Sequence, residues 1–410
     1  MHIVEKKSAY FYVFILLVVM TKFFDFVLFS HRFFTYGCLI GLSLFFIRAK
    51  QSKENYKNLI GMISALVILS CVFSYVKHHQ ALPSVIASSY FALGLLFFFI
   101  PLFYNLSFNN SVKLVRNFSI LFCFCYVIQW LLFPIILFSG ALDEFSIIEE
   151  NFRMRMTCSL CSYCLFFYGI NHLFIKKKLV YILYILLGFI PVIIMGFRSL
   201  IALTVFFVAY LMISLTKSSV KKLLVNSFFA VLLSFIVLQV PLVQNKIEEM
   251  AERQDSNQTF DNEDYIRYVS LSYYFTEIYT DTTERIIGGG FPMVSKKDKN
   301  NLTKYTKEIA AGYANGLFWN DLGLIGLSFI IGPIATLLII YLMLRTCWKC
   351  KARELLFIRA TILVGVLGSI FTSQEIYRAG NFIFVALMMY TDFKYRLEHE
   401  NRDINISQCV

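Results

Sequence analysis

The sequence predicts an all-α, polytopic integral membrane protein, and three observations carry that prediction. Hydrophobic residues fill 58% of the 410 positions and charged residues only 16%, whereas an ordinary soluble domain is about 45–50% apolar. The apolar residues gather in runs of the length, roughly 17–25 residues, that crosses a hydrocarbon core of about 30 Å. Between those runs, Lys and Arg concentrate on every second segment, as the positive-inside rule requires.

Taken in order, the runs define about twelve candidate spans, near 10–29, 33–47, 58–76, 84–104, 115–138, 156–175, 179–196, 199–215, 223–241, 317–344, 355–373 and 377–393. The first follows Glu5-Lys6-Lys7 in the manner of a signal peptide, but no small-residue cleavage site follows it, so it is expected to remain as an anchor. Basic residues crowd the segments containing Lys6 and Lys7, Arg48 to Lys57, Lys113 and Arg116, Lys176 to Lys178, Lys217 to Lys222, Arg345 to Arg353, and Lys394 to Arg402. The intervening short segments hold only Arg32, Lys77, Arg153, Arg155, Arg198 and Arg378. Both termini are therefore expected in the cytoplasm. The net charge of +12 then reports orientation rather than a nucleic-acid partner.

One long polar interruption, Leu242 to Gly316, separates the ninth and tenth spans within a single membrane domain of residues 1–410. The alternation places it outside the cytoplasm as one large loop. Within it, Tyr265 to Tyr279 reads as a surface helix with Ile266, Val269 and Tyr273 on an apolar stripe. Asp264 is a candidate cap for that helix. Gly288-Gly289-Gly290 is either a turn or a place where backbone amides approach a ligand closely. No Gly-Lys-Ser/Thr follows, so it is not a P-loop.

Polar residues at span ends gather on the same outward side, Arg153 and Arg155, Arg198, then Asn315, Asn320 and Asp321, and finally Glu375 and Arg378, while Arg267 and Arg285 lie in the long loop of that side. Ionisable groups near membrane depth are costly, so their clustering marks a candidate site. The competing reading is that each arginine simply anchors a helix end at the headgroups. Guanidinium grips phosphate through two parallel donors, which suits an anionic lipid-borne ligand. Asp321 and Glu375 are the candidate bases, or alternatively structural partners of Arg198 and Arg378. Seven cysteines, from Cys38 to Cys164, lie in apolar runs as small hydrophobes, and Cys347-Trp-Lys-Cys350 stands without a second pair. No metal or cofactor is expected.

The topology, together with Phe197-Arg198-Ser199-Leu200, Arg267 followed by Gly288-Gly-Gly-Phe291, and Asn315 to Gly326 re-entering the membrane, resembles bacterial O-antigen polymerases (Wzy-like) and the related O-antigen ligases. The likeness covers the topology of the whole chain but local motifs only from Phe197 to Gly326. It implies a metal-independent glycosyltransferase of the bacterial inner membrane, active in lipopolysaccharide biosynthesis. Such an enzyme moves a growing glycan from undecaprenyl pyrophosphate onto another lipid-linked repeat unit at the periplasmic face. A chain-length regulator and a flippase are the implied protein partners. By the same resemblance Arg198 and Arg267 hold the pyrophosphate or donor sugar. Arg153, Arg155, Arg285, Gly288, Gly289, Gly290, Asn315, Asn320 and Arg378 form the candidate binding set. The ligase pattern has a histidine where this chain has Ala314, a departure that favours polymerase. A ligase and a lipid-linked oligosaccharide flippase or transporter are the alternatives.

Overall fold

The computed structural model describes residues 8–21, 41–47, 56–132, 135, 137–138, 156–195, 198–215, 266–279, 281–292, 303–350, 352–371, 376 and 380–407. The described residues form helices and no strand. In chain order the helices are α1 (Ala9–Met20), α2 (41–47), α3 (Tyr56–His78), α4 (Leu82–Ser89), α5 (Phe99–Phe103), α6 (Phe108–Leu131), α7 (Leu160–Lys176), α8 (Val180–Met195) and α9 (Arg198–Leu215). They continue as α10 (Ile266–Ser272), α11 (Thr282–Ile287), α12 (Lys304–Ala314), α13 (Gly323–Ile331), α14 (Pro333–Lys349), α15 (Leu356–Phe371) and α16 (Asn381–Ser407). The expected ninth span, 223–241, lies outside the described residues.

The core is built on α16. Its residues from Phe382 to Met389 are apolar and buried on every side, and a helix apolar all round finds its place inside other helices. The segment Ala92–Phe98, α6 and α7 pack against it. The tightest pairing is α7 with α8, where Gly188 lets the two backbones meet: a Cβ there would stand 2.5 Å from the Phe166 amide nitrogen. Small residues allow that approach where a larger side chain would hold the helices apart.

Two helices, α3 with 23 residues and α6 with 24, are long and apolar enough to cross a membrane, and the bent pair Lys304–Ala314 with Trp319–Ile331 makes a third if taken as one span. Helices α7, α8, α9, α14 and α15 hold 16 to 18 residues. At 1.5 Å per residue each covers about 24–27 Å, a little less than the hydrocarbon core.

Two expected spans are broken. Residues 84–104 divide into α4, a 3-10 stretch Ala92–Phe98 and α5. Every residue of the 3-10 stretch is buried, so packing against α16 sets its backbone in place of an unbroken helical period. Residues 317–344 divide into a 3-10 turn Trp319–Leu322, α13 and α14. The stop is Gly332 with φ of +83° followed by Pro333, a left-handed terminator and then a residue suited to a helix start.

The expected surface helix 265–279 also differs. After α10 the chain widens into a π-helix, Tyr273–Ile278. The buried face is Ser270, Tyr274 and Ile278, while Tyr268 and Val269 are exposed. The wider turn sets Tyr274 against Phe329, with ring centroids 4.9 Å apart, so aromatic packing on α13 overrides the stripe read from the sequence. Of the cysteines in apolar runs, Cys71, Cys123, Cys125, Cys158, Cys161 and Cys164 are buried. Cys347 and Cys350 are buried too, their thiols donating to the carbonyls of Arg359 and Leu355.

Candidate functional site

The described parts of the long polar segment fold back onto the helices at two places. The first is the end of α3. Asp281-Thr-Thr-Glu284 is a capping box: the Asp281 carboxylate accepts from the Glu284 amide at 3.0 Å, and Glu284 Oε2 accepts from the Asp281 amide at 3.3 Å. This reciprocal arrangement satisfies donors that a helix start leaves open. It also turns the Glu284 side chain inward, where it is 2% exposed and meets Lys77 Nζ at 3.0 Å and His78 Nε2 at 3.5 Å. Lys77 also pairs with Asp281. That hydrogen bond, reinforced by the Glu284 amide, holds the Asp281 carboxyl below the usual carboxylate range.

The glycine run completes this anchor. Gly288 and Gly290 take φ of +91° and +83°, the region glycine enters without strain. The Gly288 amide donates to Glu284 O, Gly289 to Phe329 O at 2.7 Å and Gly290 to Ile330 O at 3.1 Å. All three amides are thus committed to carbonyls at the end of α11 and of α13. The expectation that they donate to a ligand is corrected: they tie the loop to the C-terminal end of α13, whose last carbonyls lack helical partners.

The second place is the elbow between α12 and α13, where the chain bends by 75°. Asn315 caps the end of α12 and is exposed. The turn Trp319–Leu322 carries Asn320, half-buried, and Asp321, exposed. Helix α10, which carries Arg267, packs directly against that turn. The structure therefore packs the helix carrying Arg267 against the turn carrying Asn320 and Asp321, across more than fifty positions of sequence. Tyr274 donates to the Leu317 carbonyl at 2.7 Å, and the Asp321 carboxylate lies near enough to act electrostatically on the hydroxyls of Tyr274 and Tyr313.

Arg198 is the first residue of α9. Helix α15 packs against both α9 and α13, so it stands between the helix carrying Arg198 and the one that follows Asp321. Arg285 is on the exposed face of α11, the face turned away from the buried Glu284. Arg153, Arg155, Glu375 and Arg378, together with Asp264, lie outside the described residues. Sequence reasoning missed Lys77, His78, Glu284 and Tyr305. The Asp-x-x-Glu spacing was a readable signal for Glu284; nothing local pointed to its partners across 200 residues. Among the described residues no three His, Cys, Asp or Glu side chains converge as a metal-holding group.

Fold and site together define a helical protein with apolar spans and a polar loop folded onto one end of them. No protein-family model matches the sequence, and no curated protein matches it.

Proposed function

We propose that the chain is an O-antigen polymerase: a multi-pass glycosyltransferase of the bacterial inner membrane that extends a surface polysaccharide from undecaprenyl-pyrophosphate-linked donors. In this reading about twelve spans cross the bilayer with both termini inside, and the segment 242–316 lies in the periplasm. The observation that carries it is the packing of α10 on the turn Trp319–Leu322. It packs the helix that carries a permanently charged guanidinium, Arg267, against the turn that carries a carboxylate, Asp321, at an exposed elbow of the chain.

Those two groups suit the two ends of the transfer. Asp321 takes the proton of the acceptor hydroxyl as that oxygen attacks the donor sugar's anomeric carbon. The bond from that carbon to the pyrophosphate oxygen breaks, and the anionic leaving group is held by Arg267. Tyr313 and Trp319, half-buried at the elbow, offer ring faces for sugars. The absence of a histidine at Ala314 supports polymerase over ligase.

The test is the surface-polysaccharide ladder of the producing strain. Arg267→Ala and Asp321→Asn are expected to remove long chains, leave lipid capped with a single repeat unit, and keep the protein at its normal abundance. A wild-type ladder in both variants overturns the proposal. Complete loss of capped lipid in a deletion strain favours a flippase or ligase instead.

A further inference from the structure

The opposite end of the bundle carries a cation that the catalytic reading does not use. Tyr56, fully buried at the start of α3, sits beneath two guanidiniums: Arg345 from α14 at 5.5 Å from the ring centroid, and Arg396 from α16 at 5.9 Å. The two differ in how their charge is balanced. Arg396 pairs with Asp392 at 3.0 Å and donates to the Tyr56 hydroxyl at 3.1 Å. Arg345 is half-buried, rests on the ring, and has no carboxylate partner among the described residues.

What flanks Arg345 narrows the ligand. Ile334, Leu337, Tyr341, Leu344 and Trp348 are exposed along α14, and their alternating three- and four-residue steps keep them on one face. That apolar lane ends beside Arg345, with Trp348, 79% exposed, at its tip. Trp at such a position is typical of a membrane interface. Lys57 follows Tyr56 on α3 with its Nζ over the Phe46 ring. Lys349, one turn beyond Arg345 on α14, lies within electrostatic reach of Asp392. Further cations thus stand at this end of the bundle, beside the carboxylate already paired with Arg396.

We propose that this seam between α3 and α14 binds the phosphate headgroup of an anionic bilayer phospholipid. Arg345 is its chief ligand, and the exposed lane of α14 carries an acyl chain. A free phosphate would use the cations but leave the lane bare, whereas a phospholipid satisfies both. The proposal rests on α3 crossing a membrane and is independent of the glycosyl-transfer reading.

The experiment uses the full chain purified in mild detergent and delipidated. Native mass spectrometry and thermal unfolding are read with added phosphatidylglycerol, phosphatidylcholine or inorganic phosphate. Phosphatidylglycerol is expected to be retained and to raise Tm, and phosphatidylcholine is not. Arg345→Ala should weaken phosphatidylglycerol binding about fivefold, Arg345→Lys should restore most of it, and added salt should diminish it. Equal retention of both lipids by the wild-type chain overturns the proposal without needing any variant. So does unchanged binding by Arg345→Ala, or an equal Tm rise with inorganic phosphate, which would mark an anion site without lipid. Recovery of the chain from the soluble fraction overturns the membrane reading itself; a membrane-inserted chain without phosphatidylglycerol preference overturns only the lipid site.

Discussion

His78 stacks on Tyr305, with ring centroids 3.9 Å apart and planes inclined by 13°. The contact joins the end of α3 to the first turn of α12 across more than 220 residues. The Tyr305 hydroxyl donates on to Gly290 O at 3.1 Å, so one tyrosine links α3, the glycine run and the elbow helix. Through that link the polar segment is held in register with the helices beneath it, and the elbow carrying Asp321 inherits the position.

Removing parts of this link should separate ring packing from hydrogen bonding. Tyr305→Phe keeps the stack and loses one hydrogen bond, an expected cost of about 1 kcal/mol. Tyr305→Ala also leaves a cavity, and about 3–5 kcal/mol is expected. Thermal unfolding of the detergent-solubilised protein checks the ranking; equal losses would mean the ring contributes nothing.

Glu284 should be the more sensitive of the two acidic residues beside Lys77. Its carboxylate is almost fully buried against Lys77 and His78, and Glu284→Ala leaves those groups facing an uncompensated gap. A loss on the order of 3 kcal/mol is expected. Asp281→Ala removes an exposed cap and is expected to cost clearly less. A reversed order in the same unfolding assay would contradict the buried pairing.

The pH dependence follows from Asp281. Its carboxyl is held below the ordinary value of 3.8 by Lys77 and the Glu284 amide. A depressed folded value means the stabilisation is fully present above that ordinary value and is lost as pH falls through the lower, folded one. Stability should therefore be indifferent to this group at neutral pH and decline only in strong acid. Asp281→Asn should shrink that acid decline, read as Tm against pH, while leaving the neutral range without a new slope.

Gly288→Ala should cost more than a typical surface change. At φ of +91° an L side chain is strained, and the added Cβ would overlap the Ile330 carbonyl oxygen. Backbone strain alone is worth about 1–3 kcal/mol. Limited proteolysis should show earlier cleavage in the 281–292 region, and a cleavage rate equal to wild type would count against the tie between the glycine run and α13.

Much of the helical arrangement was readable because membrane-length apolar runs and Gly-Pro punctuation are local signals. Helices α3, α7, α8, α9 and α15 lie close to their expected limits. The breaks at 92–98 and the π-turn at Tyr273–Ile278 were not legible, since each is set by what packs on it: α16 for the first, Phe329 for the second. Among site residues, Asp321 and Arg267 could be proposed singly from their chemistry. The packing of the elements that carry them could not, because it is a tertiary contact between α10 and the Trp319–Leu322 turn.

Residue order alone determined an all-helical chain, rich enough in apolar runs to have spans of membrane length, with one long polar interruption. Apolar run length and intrahelical hydrogen bonding depend on neighbours within a few turns, so composition and period suffice for them. Tertiary structure alone decided that the Gly289 and Gly290 amides belong to Phe329 and Ile330, that Glu284 is buried against Lys77 and His78, and that Arg345 lies on Tyr56 with no carboxylate partner among the described residues. Each of these is a pairing between distant residues, and its energy exists only after the helices have packed and excluded water from between them.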